Sequence, residues 1–152
     1  TWLCDTVGSV SRAGHRVPPQ VALDHPYAGI VMTWIERPEH ATLDELRAEL
    51  VDTHLPALFD RAPSVQHVQL WSPREFPDTK GTPTTPGTVV TNPAVGRQLL
   101  AVVFLDADPS AHWPDALAAF GDQLATTGAR LRLLAPFVPT VRGAGTRLDE
   151  LW

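Results

Sequence analysis

Histidine is the residue type in this chain best suited to proton transfer near neutral pH, because its pKa in water lies near ~6.5. Six histidines are present, and His54 differs from the rest in its surroundings. It falls on a stripe of apolar residues at helical spacing, just before Pro56, whose missing amide frees the carbonyl of Asp52. Two roles fit this pattern: a general base that faces the space between helix and sheet, or a core side chain that hydrogen-bonds the freed carbonyl.

A second histidine, His67, lies in a predicted strand and can approach His54 only if its side chain faces the helix. The mixed alternation of apolar and polar residues around His67 leaves that register open. A pair of histidines can also bind a metal, but the spacing provides no evident third ligand, so the sequence predicts no metal site. Cys4 is the only cysteine, which excludes an internal disulfide and the cysteine spacings of zinc ribbons and iron–sulfur sites.

Aromatic residues lie near the ends of predicted strands, where the rims of pockets occur. Core packing explains most of the five tryptophans, but aromatic walls with a few polar groups are also what a flat, apolar ligand requires. The candidate substrate-binding residues are Tyr27, Trp34, Trp71, Phe104 and Asp106. Asp106, like Glu36, lies at a strand end and can provide a polar contact, and the alternative for both is a solvated turn charge.

Composition and charge exclude several classes of function. The formal net charge is −5 with scattered basic residues, whereas a nucleic-acid-binding protein normally has a clustered basic face. No run approaches the ~20 apolar residues of a membrane span, and the N-terminus lacks a signal-peptide pattern, so we expect no membrane partner and a cytoplasmic location. Phosphate-loop, dinucleotide-binding, nucleophile-elbow and zinc-protease motifs are absent, so no cofactor is predicted.

Four β-strands are predicted: apolar runs indicate those at residues 27–36 and 99–105, and segments of mixed apolar and polar residues indicate those at 65–71 and 130–138. Thr42 and Glu45 form a capping-box pattern that begins a first helix, which Pro56 should kink. A second helix is predicted to begin near Ser110 and to end at Gly128. The order of elements is therefore two βαβ units, separated by a loop rich in proline and threonine.

This order predicts an α+β domain with a ferredoxin-like βαββαβ fold, in which a four-stranded antiparallel sheet carries two helices on one face. The other face needs a cover, and the expected one is a second copy of the sheet in a homodimer, as in dimeric α/β-barrels. The predicted organisation is an N-terminal extension at 1–26, the domain at 27–138 and a tail at 139–152. The long loop at 72–97 is either a lid over a pocket, a rigid surface loop or a dimer arm.

The segment at 52–71 resembles the EthD-like branch of the dimeric α/β-barrel superfamily. Three motifs match that family in order and spacing: Arg37-Pro38, His54-Leu-Pro56 and the strand from Val65 to Trp71. The resemblance covers about residues 27–72, and His67 falls where the family often has a tyrosine. It implies a pocket between sheet and helices into which His54 points. Similar folds include cofactor-free oxygenases of polyketide anthrones, lactone isomerases, and polyketide cyclases and dehydratases.

The leading hypothesis is a small natural-product tailoring enzyme that acts on a polyketide-like or aromatic intermediate without a cofactor. His54 is the expected general base, with His67 or Tyr27 as the residue that orients it, and the reaction is a cyclisation, dehydration or isomerisation. A cofactor-free monooxygenase, in which the substrate carbanion reduces O₂, is the close alternative. A non-catalytic ligand-binding dimer is the alternative from a different class.

Overall fold

A five-stranded antiparallel sheet organises the protein in a computed structural model that describes residues 4–15, 27–75 and 92–138. Its strands are β1 (Cys4–Ser11), β2 (Gly29–Glu36), β3 (Val65–Pro73), β4 (Gln98–Leu105) and β5 (Arg130–Phe137). They pair in the order β1-β3-β4-β2-β5, so β1 and β5 form the two edges. β2 and β4 pair over their entire length without a shift in register, as expected for strands rich in aliphatic and β-branched residues.

Helices cover one face of this sheet. α1 (Leu43–Glu49), a π-helical segment (Leu50–His54) and α2 (Leu55–Arg61) follow one another without a break, and α3 (Pro109–Thr127) is the one long helix among the described residues. The predicted capping box is confirmed: the Thr42 hydroxyl accepts from the amide of Glu45, whose carboxylate accepts from the amide of Thr42. α3 ends where Gly128 adopts a φ of 77°, which glycine reaches without steric cost.

The main hydrophobic core lies between the helices and the face of the sheet that they cover. Alternate residues of the strands point into it, because side chains along a strand alternate between the two faces. The core residues of the central strands and the helices include Val31, Ile35, Val68, Leu70, Ala101, Val103, Leu46, Leu50, Leu55, Leu58, Phe120 and Leu124. Full burial of a side chain of this kind contributes ~1.5–3 kcal/mol, so this layer is the main source of stability.

The opposite face of the sheet, here called the distal face, carries side chains that point away from the described helices. Three rows of directly paired residues cross it from β3 through β4 to β2: His67–Phe104–Ile30, Gln69–Val102–Met32 and Trp71–Leu100–Trp34. The buried residues of this face form a second hydrophobic cluster, separate from the main core. Tyr27 belongs to this cluster, and no described helix contributes to it. The sheet thus has an aliphatic face under the helices and a more aromatic, partly polar distal face.

The expected four-stranded βαββαβ fold of the dimeric α/β-barrel type is wrong. The sheet has a fifth strand, β1, which comes from the part of the chain assigned to an N-terminal extension at 1–26. Among the described strands, β1 pairs only with β3; it is partly exposed, and its sequence contains no continuous apolar run. The expected first helix is divided by the π-helical segment before Pro56, which leaves α3 as the one long helix among the described residues instead of two equivalent helices.

Most of the predicted loop at 72–97 and the whole predicted tail at 139–152 lie outside the described residues. At the two ends of that loop, β3 continues to Pro73 and β4 begins at Gln98. No helix in the described part of the chain is long and apolar enough to cross a membrane.

Candidate functional site

A β-bulge in β3 decides which face of the sheet receives His67. Val65 is paired with Leu105 and His67 with Phe104, so Gln66 is the extra residue in this pairing. Side chains alternate between faces along a strand, and a regular strand would place His67 on the same face as Val65, under the helices. The extra residue shifts the alternation by one position, and His67 lies on the distal face instead.

Hydrogen bonds from neighbouring segments hold this bulge. The side-chain amide of Gln66 donates to Asp106 Oδ2 at 2.8 Å and to the carbonyl of Pro63 at 3.1 Å. The carbonyl of Gln66 accepts from the backbone amide of Arg12 at 2.9 Å, and the backbone amide of Asp106 donates to the carbonyl of Ser64 at 3.0 Å. Asp106, a predicted ligand contact, therefore lies in the exposed turn that supports the bulge.

His67 is hydrogen-bonded to Ser11, its direct neighbour on β1. The distance between Ser11 Oγ and His67 Nδ1 is 2.7 Å, and the centroid of the imidazole lies 5.6 Å from that of the Phe104 ring. His67 is 1 % exposed. A hydroxyl can donate to Nδ1 or accept from it, so Ser11 orients the ring and favours one tautomer. An imidazole that acts as a base is usually oriented by a second polar group in this way.

Tyr27 packs against the same phenyl ring as His67. The centroids of Tyr27 and Phe104 are 4.6 Å apart, and the Tyr27 hydroxyl lies 3.3 Å from His15 Nε2. Burial raises the pKa of Tyr27, so its hydroxyl stays protonated at neutral pH and can donate a hydrogen bond. Two polar pairs, Ser11 with His67 and His15 with Tyr27, thus meet around Phe104 at one end of the distal face.

Trp34 and Trp71 lie in one row of the distal face, with Leu100 between them. Leu100 is four residues from Phe104 along β4, so this row lies about 13 Å from the row of His67. Trp71 Nε1 is buried and has no hydrogen-bond partner in the described part of the chain. A buried donor without an acceptor is costly, and an oxygen atom of a bound ligand can satisfy it.

His54 lies on the opposite side of the sheet from His67, within the helical segment that packs on the main core. It is the last residue of the π-helical segment, in which residues five apart meet, and its Nε2 is 3.3 Å from Glu49 Oε1. The side chain is 6 % exposed. The structure therefore does not bring His54 and His67 into one site. The hydrogen bond of His54 goes to a carboxylate and not to the carbonyl of Asp52.

β1 contributes residues to this site that the sequence pattern did not predict. Ser11 contacts His67, and Ser9 is paired with Gln69 in the next row. The alternation of Ser9, Val10 and Ser11 is the signal that indicates a half-buried strand here. It is only three residues long, because the register of β1 shifts just before it.

Five of the predicted site residues share the distal face: Tyr27, Trp34, His67, Trp71 and Phe104. Comparison of the chain with protein-family models, with curated proteins and with solved structures found no match. Residues 4–15, 27–75 and 92–138 contain no group of three or more His, Cys, Asp or Glu side chains that could hold a metal ion. The function of this site is therefore inferred from its geometry and chemistry.

Proposed function

We propose that this protein is an enzyme that binds a flat, largely apolar molecule on the distal face and transfers a proton through His67. The observation that carries the proposal is the hydrogen bond between Ser11 and His67, at one end of a sheet face that is rich in aromatic side chains. An aromatic or polyketide-like intermediate fits such a face, because its rings can stack on aromatic residues while a few polar groups orient it. The proposed reactions are cyclisation, dehydration or isomerisation, with no cofactor.

His67 is the proposed general base, in place of His54. With its ring held by Ser11, the imidazole can take a proton from an acidic C–H or hydroxyl group of the substrate and return it to another atom of the same molecule. The hydroxyl of Tyr27, kept protonated by burial, can donate a hydrogen bond to the oxygen on which negative charge develops. Cyclisation or isomerisation by this route neither gains nor loses an atom, and dehydration releases one water.

The test compares His67→Gln with His54→Gln on a panel of aromatic and polyketide-like substrates, with products identified by mass spectrometry. Positioned acid–base groups contribute ~10²–10⁴-fold, so His67→Gln should lower kcat by at least ~100-fold, whereas His54→Gln should retain most of the activity. Circular dichroism of both variants establishes that they are folded. A loss of less than ~10-fold in His67→Gln would exclude His67 as the base.

The same assay, run under ¹⁸O₂, separates the proposed chemistry from a cofactor-free monooxygenase. A product that is isomeric with the substrate, or lighter by one water, supports acid–base catalysis. A product that carries labelled oxygen supports the monooxygenase, in which the carbanion formed by proton removal gives its electrons to O₂.

A non-catalytic ligand-binding protein is the second candidate, and one observation favours it. His67 and Gln69 are each 1 % exposed, as is typical of polar groups that are satisfied within a core. A ligand would then occupy the distal face without any proton transfer. A rate that follows the titration of one histidine near neutral pH supports the enzyme, and binding of panel compounds with no turnover supports the ligand-binding protein.

The homodimer stays a prediction, as does the relationship to EthD-like proteins. Leu133 and Phe137 of β5 are 54 % and 49 % exposed, and they are paired with Trp34 and Ile30, so they extend the distal face to the edge of the sheet. A second copy that covers this edge would remove apolar surface from water. Light scattering of the purified protein tests the dimer: the mass of two chains supports it, and the mass of one chain contradicts it.

A further inference from the structure

Two arginines meet one carboxylate at the end of the distal face that lies farthest from His67. Glu36 is the last residue of β2, Arg97 immediately precedes β4, and Arg132 lies in β5. Arg97 Nη2 donates to Glu36 Oε1 at 3.1 Å, and Arg132 Nε donates to Glu36 Oε2. The side chain of Glu36 is 11 % exposed, whereas those of Arg97 and Arg132 are 61 % and 51 % exposed. The carboxylate is thus enclosed, and both guanidinium groups are accessible to solvent.

A bulge in β5 places Arg132 beside an apolar side chain. Leu133 is paired with Trp34 and Leu131 with the next residue of β2, so Arg132 is the extra residue. Leu131 packs on the main core, Leu133 lies on the distal face, and Arg132 reaches Glu36 on that same face. A regular strand cannot direct two consecutive side chains to one face. The bulge does so, and a guanidinium group lies next to the row that contains Trp34.

This cluster carries more positive charge than Glu36 neutralises. A guanidinium group has five N–H donors, and Arg97 and Arg132 each direct one of them to Glu36. Among the described residues, no other carboxylate lies within 4.0 Å of either group. The hydrogen bond from Arg132, together with the charges of both arginines, lowers the pKa of Glu36, so the carboxylate stays ionised at neutral pH. The result is a fixed pair of planar donors with an excess of positive charge, on a chain whose net charge is −5.

We propose that Arg97 and Arg132 form an anion subsite, which binds a carboxylate or phosphate group of a ligand whose apolar part lies over Trp34 and Leu133. Guanidinium groups match the geometry of both anions, and binding costs less when another group already holds them in place. Trp34 is two residues before Glu36 on the same face, so the two parts of the ligand lie about 7 Å apart. The inference rests on the proposed function, because it describes the ligand of the same face as an apolar molecule with one acidic end.

The experiment measures the binding of three aromatic probes to the purified protein by calorimetry at low ionic strength: benzoate, phenyl phosphate and neutral benzamide. At least one anionic probe should bind ~10-fold more tightly than benzamide, because hydrogen bonds to charged groups are stronger than neutral ones. A preference for benzoate identifies a carboxylate ligand, and a preference for phenyl phosphate identifies a phosphate ligand. Added salt should weaken the binding of the anionic probes and leave that of benzamide unchanged.

Arginine variants show which side chains cause the preference for anionic probes over benzamide. Arg97→Gln and Arg132→Gln should each remove most of it at constant benzamide affinity, which shows that the distal face is intact. Arg132→Lys keeps the charge but not the planar pair of donors, so it should lose part of the preference. Arg61→Gln is the control, because Arg61 is an exposed arginine of α2, on the helical side of the sheet, and has no ion pair among the described residues. The preference should be unchanged in this variant.

Two kinds of result overturn the anion subsite. One is equal binding of the three probes, or no binding of any of them. The other is a preference that persists when Arg97 and Arg132 are both replaced by glutamine. Neither result decides the proposed function, which is tested by His67→Gln at a distance of about 20 Å along the sheet. Conversely, an anion preference that depends on both arginines stands even if His67→Gln leaves turnover unchanged.

Discussion

Replacing Arg12 with alanine should destabilise the protein strongly, because this side chain binds the C-terminal end of α2. Its guanidinium donates to three backbone carbonyls: from Nε to Val65 at 3.0 Å, and from Nη2 to Phe59 at 2.6 Å and Ala62 at 2.9 Å. It also lies 5.6 Å from the centroid of the Phe59 ring. A helix leaves its last carbonyls without partners, and Pro63 has no amide to offer the carbonyl of Phe59. Arg12 therefore supplies the carbonyl of Phe59 with a donor that the backbone cannot provide, and adds a second donor to the carbonyl of Ala62, which also accepts from the amide of Val65.

The magnitude follows from these contacts. An intramolecular hydrogen bond contributes ~0.5–1.5 kcal/mol, and a positive charge near a helix C-terminus contributes ~0.3–1 kcal/mol. Three hydrogen bonds and one such charge predict that Arg12→Ala lowers the free energy of unfolding by about 3 kcal/mol. In a chain of this length, the corresponding decrease in Tm is roughly 10 °C. Urea denaturation and thermal melts followed by circular dichroism measure both quantities.

Two variants show whether the hydrogen bonds are the cause. Arg12→Lys keeps the charge but lacks the planar set of donors, so it should recover less than half of the lost stability. Arg61→Ala removes an exposed arginine from the last turn of α2 and should cost no more than ~0.5 kcal/mol. An Arg12→Ala variant that is no less stable than Arg61→Ala would show that these hydrogen bonds do not stabilise the protein.

Three other changes should give defined results. Gly29→Ala should lower the free energy of unfolding by about 1–3 kcal/mol in urea denaturation, because the new Cβ would clash with the side chain of Pro109, and an unchanged stability would contradict this. The hydrogen bond from Arg132 is the chief cause that lowers the pKa of Glu36 from its ordinary 4.5. The ionised carboxylate therefore stabilises the folded protein above pH 4.5, and this stabilisation is lost as the pH falls toward the pKa of Glu36 in the folded state. Stability measured from about pH 7 to about pH 3 should therefore fall less steeply in Glu36→Gln than in the unaltered protein, and parallel curves would contradict the assignment. His54→Gln should lose ~1–3 kcal/mol of stability and keep its activity, whereas unchanged stability with lost activity would make His54 the base.

Four of the strands were predictable, because β2 and β4 are nearly continuous apolar runs and β3 and β5 are strand-length segments that mix apolar and polar residues. The predicted strands at 27–36, 65–71, 99–105 and 130–138 correspond to β2, β3, β4 and β5, and their ends differ by no more than two residues. β1 lacks such a run, because a partly exposed edge strand is stabilised by its pairing with β3 and needs few apolar side chains. One undetected strand was enough to make the predicted fold wrong.

The residue types of the candidate site were more predictable than their positions. Aromatic residues in strands indicate a surface that can bind a flat molecule, and Trp34, Trp71 and Phe104 do share one face. The choice between His54 and His67 depends on which face of β3 receives His67. A single extra residue reverses that choice, and no residue type in the sequence marks its position.

The bulge in β3 resolves a conflict between packing and polarity. Val65 and Val68 both lie in the main core although they are three residues apart, a spacing that a regular strand would divide between its two faces. The extra residue lets both valines stay under the helices and keeps an imidazole out of the aliphatic core, where a polar group is costly. The bulged residue Gln66 is held by the backbone amide of Arg12 and by the carboxylate of Asp106. These two residues therefore fix the direction of His67 without needing to contact a substrate. Arg12 also follows Ser11 directly, and its contacts with α2 anchor the edge strand whose hydroxyl orients the imidazole. The direction of the proposed base is therefore set by the bulge between β3 and β4, and its ring is oriented by Ser11 of β1, the strand that hydrophobic patterning reveals least.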